Sequence, residues 1–507
     1  MNEPYFLSLL IFSPLLGILA LSLIPKEQEK TIKMIGVLAT LPSLLLALFA
    51  FVKHLNGYDL SQLTERREWI HFGKFSFLNE TNFTIGYELH IDGLALVMIL
   101  LTTLLATFAA LASTSITKEW KGYFMLFLLL EIGMLGVFAA SNLVLFFIFF
   151  EITLIPMFFL IGKWGYFEKE KAAYSYLVYN GLGSAILLIV IAVLLARTGT
   201  SNVAEIHRIF TDPVAQMQMV SPVSEQLRYG LLIALLIAFG VKLPIVPLHR
   251  WMLRVHVQAP PAVVMLHSGV LLKIGAFGLI RFALGLFPGQ FQQLSTLIVI
   301  LGVVNLLYGA FLAFVQNDFK MVLAYSSVSH MGIVLIGLGS LNEAGVQGAI
   351  FQAVSHGFIS AFLFFLVGVL YERVQTTSLD RLGGLAKVMP LTAGFFLAGA
   401  MASLGLPGTS GFISEFMAFL GLFKVNPVIA AVGTLGIIMT AVYLLRAVLN
   451  MTYGPAKQND RVSDLRGMEF IPAISLFALI VLIGIYPNVL AAPLQTTIET
   501  IMNGLGG

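Results

Sequence analysis

Eight ionisable side chains stand inside stretches that are otherwise long and apolar: Glu131, Glu151, Lys242, Lys273, His330, His356, Glu415 and Arg446. A charge at mid-bilayer costs at least ~2.5–3.5 kcal/mol, even on the lenient insertion scale. Together the eight would rival the whole stability of a folded domain, so some function must require them. The chemistry open to these residue types is proton transfer. A lysine beside a carboxylate stays protonated; withdraw the carboxylate or dry the amine, and the proton is released. Glu151 and Lys242 are the natural pair, an acid on one helix and an amine next to a helix break. Lys273, His330 and His356 suit a relay, because imidazole both gives and takes a proton near neutral pH. Glu415, just past a second break, would pass the proton onward. A static reading stands beside each of these. Glu151 with Lys242 is also a way to fix helix packing, and an intramembrane histidine is often just a satisfied interhelical donor. Glu131 and Arg446 serve equally as contacts for other chains. Lys320 begins a helix after Gln316-Asn317-Asp318 and reads as an interfacial anchor rather than a relay.

The elements that hold these groups must be membrane helices. Of 507 residues, 58% are apolar and only 11% charged, with a mean hydropathy of +0.92. Soluble chains carry about 25% charged residues, so the solvent here is the bilayer. Fourteen stretches reach the roughly 20 apolar residues a spanning helix needs: 5–25, 34–52, 93–112, 123–140, 143–161, 172–195, 229–248, 262–280, 294–314, 321–341, 349–371, 391–423, 428–449 and 470–485. The first has neither a basic leader nor a small-residue cleavage site and reads as a retained helix. The expected fold is all-α, a polytopic transmembrane bundle of about 14 helices.

Span seven is interrupted at Lys242-Leu243-Pro244-Ile245-Val246-Pro247, and span twelve at Leu406-Pro407-Gly408-Thr409-Ser410-Gly411. The two lie five spans apart and so begin on opposite sides. Proline-broken helices at matching places in two inverted halves point to a transporter's ion site, although prolines are common in membrane helices generally. The division that follows is residues 1–122 (spans one to three with an outer loop), 123–280 and 294–449 (two inverted five-helix repeats), and 450–507 (a loop and span fourteen).

Counted by connection, the odd-numbered loops hold 17 of the 29 Lys and Arg, the even-numbered loops nine, and Lys242, Lys273 and Arg446 fall within spans. Basic loops stay cytoplasmic, which puts both termini outside. In the first long outer loop, residues 75–90 alternate apolar and polar around Asn79-Glu80-Thr81-Asn82, which predicts a short β-hairpin.

Other chemistry is excluded or unsupported. Without cysteine there are no disulfides, no cysteine-ligated iron–sulfur clusters and no thiol nucleophile. The Lys and Arg are scattered, with no patch for nucleic acid. Gly405 to Gly411 is not followed by Gly-Lys-Ser/Thr, so it is no phosphate loop. His249 and His256 are poorly spaced for a metal, and no pattern holds haem, flavin or nucleotide. If the protein serves redox chemistry, the electrons travel elsewhere.

Five segments resemble the antiporter-like subunits of complex I: LFFIFFEITLIPMFFLI (145–161), VKLPIVPLHRW (241–251), HVQAPPAVVMLHSGVLLKIGAFGLIRF (256–282), KMVLAYSSVSHMG (320–332) and LGLPGTSGFISEF (404–416). IDGLA (91–95) joins them, and YERVQTTSLDRLGGLAKVMP (371–390) is similar to the M-type subunit's connection into helix twelve. M-type subunits carry Glu after the break in helix twelve, matching Glu415, where the sibling L- and N-type subunits carry Lys. By this resemblance Glu151 and Lys242 match the charged pair, Lys273 the central relay, His330 and His356 the polar axis, and Glu415 the outlet.

One stretch departs from the family. Met252-Leu253-Arg254-Val255 and Gln258 replace a Pro-Asp pair and a Glu, and His267 replaces a commonly apolar residue, which makes His267 a further candidate. Cytoplasmic proton uptake through that loop's carboxylates is thereby put in question, and an unusual neighbouring subunit is suggested.

The resemblance implies a proton-translocating subunit of a respiratory quinone oxidoreductase in a bacterial plasma membrane. No cofactor is expected in this chain, with quinone, flavin and iron–sulfur centres on other subunits, and L-type and N-type subunits as partners. Two alternatives stand beside it: the large subunit of a multi-subunit sodium/proton antiporter, and a stand-alone ion-coupled solute transporter. The second needs a polar substrate cavity, whereas about one charge per helix suggests a file.

Overall fold

A computed structural model describes residues 5–74, 82–217, 219–457 and 462–505. Among them, twelve helices are long and apolar enough to cross a bilayer: Phe6–Leu23, Glu29–Leu55, Gly93–Ser115, Trp120–Ala139, Leu143–Trp164, Lys169–Thr198, Pro261–Leu284, Ser295–Phe314, Phe319–Gly339, Glu343–Val374, Pro427–Tyr453 and Gly467–Ile485. Each overlaps a predicted span. The remaining two predictions, spans seven and twelve, are the interrupted ones. Span seven is Glu225–Lys242 followed by Arg250–Gln258, and span twelve is Pro390–Ser403 followed by Ser410–Val425.

A broken helix inside a membrane must satisfy the backbone groups it frees. In span seven a side chain from span nine does this. Asn305 Oδ1 accepts from Val246 N at 2.7 Å, and its Nδ2 donates to Pro244 O at 3.2 Å. Trp251 Nε1 donates to Val241 O at 3.1 Å and closes the other side of the break. In span twelve, Gly405 (φ +80°) and Gly408 (φ +91°) adopt left-handed turns that a side chain would strain. There Thr409 Oγ1 donates to Leu406 O at 2.7 Å.

Span eight is continuous but irregular, with π-helical turns at His267–Leu271 and Leu279–Leu284 on either side of Lys273. Such turns recur at functional sites, because the widened ring re-aims side chains. Spans nine and ten pack closely where Gly302 faces Gly332, since a Cβ on either would overlap the other helix's backbone.

The hairpin is longer and starts earlier than predicted: β1 (Thr64–Lys74) pairs antiparallel with β2 (Asn82–His90), Thr64 opposite His90. The polar residues of β1 hid its strand character; residues 75–81 of the predicted hairpin lie outside the described residues. The helix Asn488–Gly504 was not predicted at all. It lies against the start of span three, where Thr497 Oγ1 donates to Asp92 Oδ2 at 3.4 Å. At the other terminus, Leu7 N donates to Glu65 Oε1 of the hairpin at 2.6 Å. The first and last described helices therefore meet the hairpin and the start of span three respectively, on one face.

Candidate functional site

The break in span seven delivers Lys242 to the interior. It is the last residue before the break and only 2% exposed, with Nζ over the rings of Phe150 (4.7 Å) and Tyr176 (5.6 Å) and, among the described residues, no hydrogen bond. Glu151 is half-buried on span five, which Asn142 caps by accepting from Val144 N at 3.0 Å; its Oε1 is likewise unpartnered. The predicted acid–amine pair is thus not bonded. An amine held by ring faces rather than by a carboxylate is free to change partner.

Lys273 is bonded. Its Nζ donates to Ser268 O at 2.5 Å, a carbonyl in the preceding π turn, and lies 2.7 Å from His356 Nδ1 on span eleven. The His356 and His330 rings stand 5.4 Å apart, and His330 Nδ1 lies 3.5 Å from Glu415 Oε1 in the second half of span twelve. Around His330 a hydroxyl–amide net is closed. Ser414 Oγ donates to Gln352 Oε1 at 2.5 Å, Gln352 Nε2 reaches His330 Nδ1 at 3.0 Å, and His330 Nε2 lies 3.2 Å from Ser403 Oγ. Four of the predicted residues, Lys273, His356, His330 and Glu415, therefore form one contiguous file across spans eight, eleven, ten and twelve. Among the described residues, the Lys273–His356 and His330–Glu415 links are short enough for a direct or single-water proton hop, and between them the two imidazole rings lie side by side.

Past Lys273 along span eight, aromatic rings cluster. Phe277 meets Phe138 at 5.2 Å, and Phe146 meets Phe282 at 4.6 Å and Phe239 at 6.2 Å. Arg281 lies beyond that cluster, with its guanidinium over Phe277 at 5.3 Å and paired to Asp92 at 2.7 Å.

Glu131, Arg446 and Lys320 also lie off the file. Glu131 accepts from Ser43 Oγ on span two at 2.7 Å. Arg446 is exposed at the bundle's edge, bonded to Phe314 O and over the Phe314 ring at 4.7 Å. Lys320 is not a snorkelling anchor. It is 3% exposed and held between the rings of Tyr166 (4.0 Å) and Tyr371 (4.7 Å).

His267 is buried beside His256, with Nδ1 3.0 Å from His256 Nε2. Sequence reasoning weighed His256 only as a metal ligand and missed this contact. The available signal was the Pro260-Pro261 turn, which folds the two helices back on each other and brings residues on either side of it together.

The family described as "NADH:quinone oxidoreductase/Mrp antiporter, TM" matches residues 140–440, which include the whole file. A "NADH-quinone oxidoreductase subunit M" of Rickettsia prowazekii is 34% identical to this chain over 99% of each. The chain belongs to the M-type subunits of complex I. A second relative of these M-type chains, "NAD(P)H-quinone oxidoreductase chain 4 1" of Synechococcus sp., is 38% identical over 95% of this chain and 90% of its own. Among solved structures, a chain of "Respiratory complex I from Thermus thermophilus with bound NADH" superposes with a TM-score of 0.85. It is 29% identical and covers 99% of this chain and 100% of its own. The M-type assignment agrees with the carboxylate after the break in span twelve.

Proposed function

We propose that this M-type subunit moves protons through the membrane along Glu151, Lys242, Lys273, His356, His330 and Glu415, driven by quinone reduction in other subunits. The observation that carries the reading is the contiguous contact from Lys273 through both histidines to Glu415. The chain itself holds no redox centre in this proposal; flavin, iron–sulfur centres and quinone belong to its partners, which include L-type and N-type subunits. The two interrupted spans belong to inverted repeats, residues 123–280 and 294–449, that place Lys242 and Glu415 at equivalent breaks. The membrane is the bacterial plasma membrane, with both termini outside.

Lys242 acts as a switching amine. When the Glu151 carboxylate approaches, the ammonium is held; when it withdraws, the proton moves on. The test is Lys242→Met in the native complex, scored by proton uptake into vesicles per electron passed to quinone. Assembly should survive, since methionine fills the same tube of space, and uptake should be abolished. A wild-type proton-to-electron ratio would return the Glu151–Lys242 pair to a packing role.

A further inference from the structure

Three side chains share the two ring nitrogens of His330, the station of the proposed file that stands before its outlet. Gln352 Nε2 lies 3.0 Å from Nδ1, Glu415 Oε1 lies 3.5 Å from the same atom, and Ser403 Oγ lies 3.2 Å from Nε2. Gln352 comes from span eleven, Ser403 ends the first half of span twelve, and Glu415 stands in its second half. All four side chains are buried. The proposed file passes Gln352 by, yet Gln352 is the nearer neighbour of the nitrogen that faces the outlet.

The direction of these bonds follows from the amide. Ser414 Oγ lies 2.5 Å from Gln352 Oε1, and a hydroxyl can only donate to a carbonyl oxygen. That holds Oε1 on the serine and turns Nε2, which has donors and no lone pair, toward His330 Nδ1. Nδ1 therefore accepts, and the ring's proton sits on Nε2, donating to Ser403 Oγ. A neutral imidazole has a single acceptor nitrogen. Gln352 occupies it at an ordinary bonding distance, whereas Glu415 lies beyond that distance. A half turn of the amide makes a second arrangement from the same atoms. Oε1 then accepts from a protonated Nδ1, Nε2 donates to Ser414 Oγ, and the Ser414 hydroxyl donates to Gly411 O, already 3.0 Å away. Both arrangements pair the amide, the ring and the hydroxyl, so neither incurs the ~1–3 kcal/mol of a buried bond left unmade. A glutamine that only filled space would need neither.

We infer that Gln352 is a positioning residue that opens and closes His330 Nδ1, so that a proton handed to Glu415 does not return. The inference rests on the proposed file. With the amide N–H on Nδ1, the ring has no free lone pair and the link to Glu415 is closed. As the amide turns, Nδ1 takes up a proton from the Lys273–His356 side and the ring becomes cationic. The Nδ1 proton then passes to the Glu415 carboxylate, which becomes neutral. The ring is back in its starting tautomer, its Nε2 proton untouched, and the amide turns back onto Nδ1. One proton has moved and no bond between heavy atoms has changed. The proton on Glu415 now faces an occupied nitrogen where its return would need a lone pair.

The test reads protons taken up per electron by the native complex in vesicles, first with the proton gradient collapsed and then against a rising opposing gradient. Assembly is checked on native gels. Gln352→Met keeps the length of the side chain and removes both hydrogen bonds. It should match the wild-type ratio when the gradient is collapsed and lose protons per electron as the gradient grows, while the wild-type ratio stays level. Ser414→Ala frees the amide to turn and should show a smaller loss of the same kind. Ser414→Thr keeps a hydroxyl and should restore the wild-type response. Glu415→Gln is the control for the file. A wild-type response by assembled Gln352→Met, with Glu415→Gln defective, overturns the gate and leaves the file intact. A Gln352→Met ratio lost equally at every gradient would make the amide a fixed support and overturn the gate as well. A wild-type ratio in Glu415→Gln overturns both. Failure of both Gln352→Met and Ser414→Ala to assemble would assign the amide to packing and overturn the inference.

Discussion

Glu415 offers the sharpest perturbation, because its surroundings make a near-isosteric replacement possible. Its Oε1 lies 3.5 Å from His330 Nδ1, and Gly405, in its left-handed turn, leaves room for Oε2. Gln at this position keeps the size and can still hydrogen-bond, so the fold should tolerate it. What it loses is neutralisation by a proton. A charge that must pass with no titrating group pays at least ~3 kcal/mol at mid-bilayer, which slows transfer about 10²-fold. Glu415→Gln should therefore assemble normally and pump at about a hundredth of the wild-type rate. Glu415→Asp keeps the titrating group but withdraws it by about 1.5 Å, one carbon–carbon bond. The distance to His330 then becomes about 5 Å, which one water spans with two ordinary hydrogen bonds, so partial activity is expected. Glu415→Lys, the sibling subunits' residue, should also retain some pumping. The assay is redox-driven proton uptake into inside-out vesicles, normalised to assembled complex on native gels. Full pumping by the Gln variant would make Glu415 structural and refute the outlet role.

The other expectations concern topology and the fold. Cytoplasmic placement of the basic loops predicts that a reporter active only in the cytoplasm stays silent when fused after Gly507, and a signal would invert the orientation. Asn305→Leu removes the side chain that satisfies Val246 N and Pro244 O, leaving two buried backbone groups unpaired. It should cost about 2–5 kcal/mol and lower the melting temperature in detergent, and an unchanged melt would show that the break needs no such brace. Asp464 caps the first half of span twelve from the last connection. It accepts from Leu391 N at 2.7 Å, Thr392 N at 3.0 Å and Thr392 Oγ1 at 2.6 Å. Burial pushes its carboxyl up, but these bonds outweigh that and hold it below the usual range. A carboxyl depressed in the fold stabilises above about pH 4 and loses that contribution as pH falls further, so Asp464→Asn should cost about 1 kcal/mol near neutrality and flatten the melt's dependence on acid.

The spans were legible because the bilayer imposes one rule on every residue in them. A run of about 20 apolar residues has few other solutions, so even the two interrupted helices were found, each at its proline. Legibility failed where the bilayer stops dictating. β1 carries Glu65, Arg66, Arg67 and Glu68, and nothing in their alternation says strand until β2 supplies a partner. The helix Asn488–Gly504 is not among those long and apolar enough to cross a bilayer, so its mixed composition resembles a loop.

The site divides along the same line. Charges in apolar runs announce themselves by their cost, and Lys273, His330, His356 and Glu415 are indeed within reach of one another. Cost alone does not say which charges meet. Glu131 is as buried as any of them, yet it answers to Ser43 on span two. Lys320 looked like an anchor because it begins a helix, but the rings that enclose it come from far along the chain, Tyr166 in a connection and Tyr371 at the end of span eleven. The same holds within the pathway. Glu151 and Lys242 were paired on the strength of opposite charge, whereas the structure places the amine on the faces of Phe150 and Tyr176. Sequence identifies groups able to move a proton; only packing decides which neighbour receives it. His256 shows the rule most clearly, since its partner is set by a proline turn and not by any spacing along one helix.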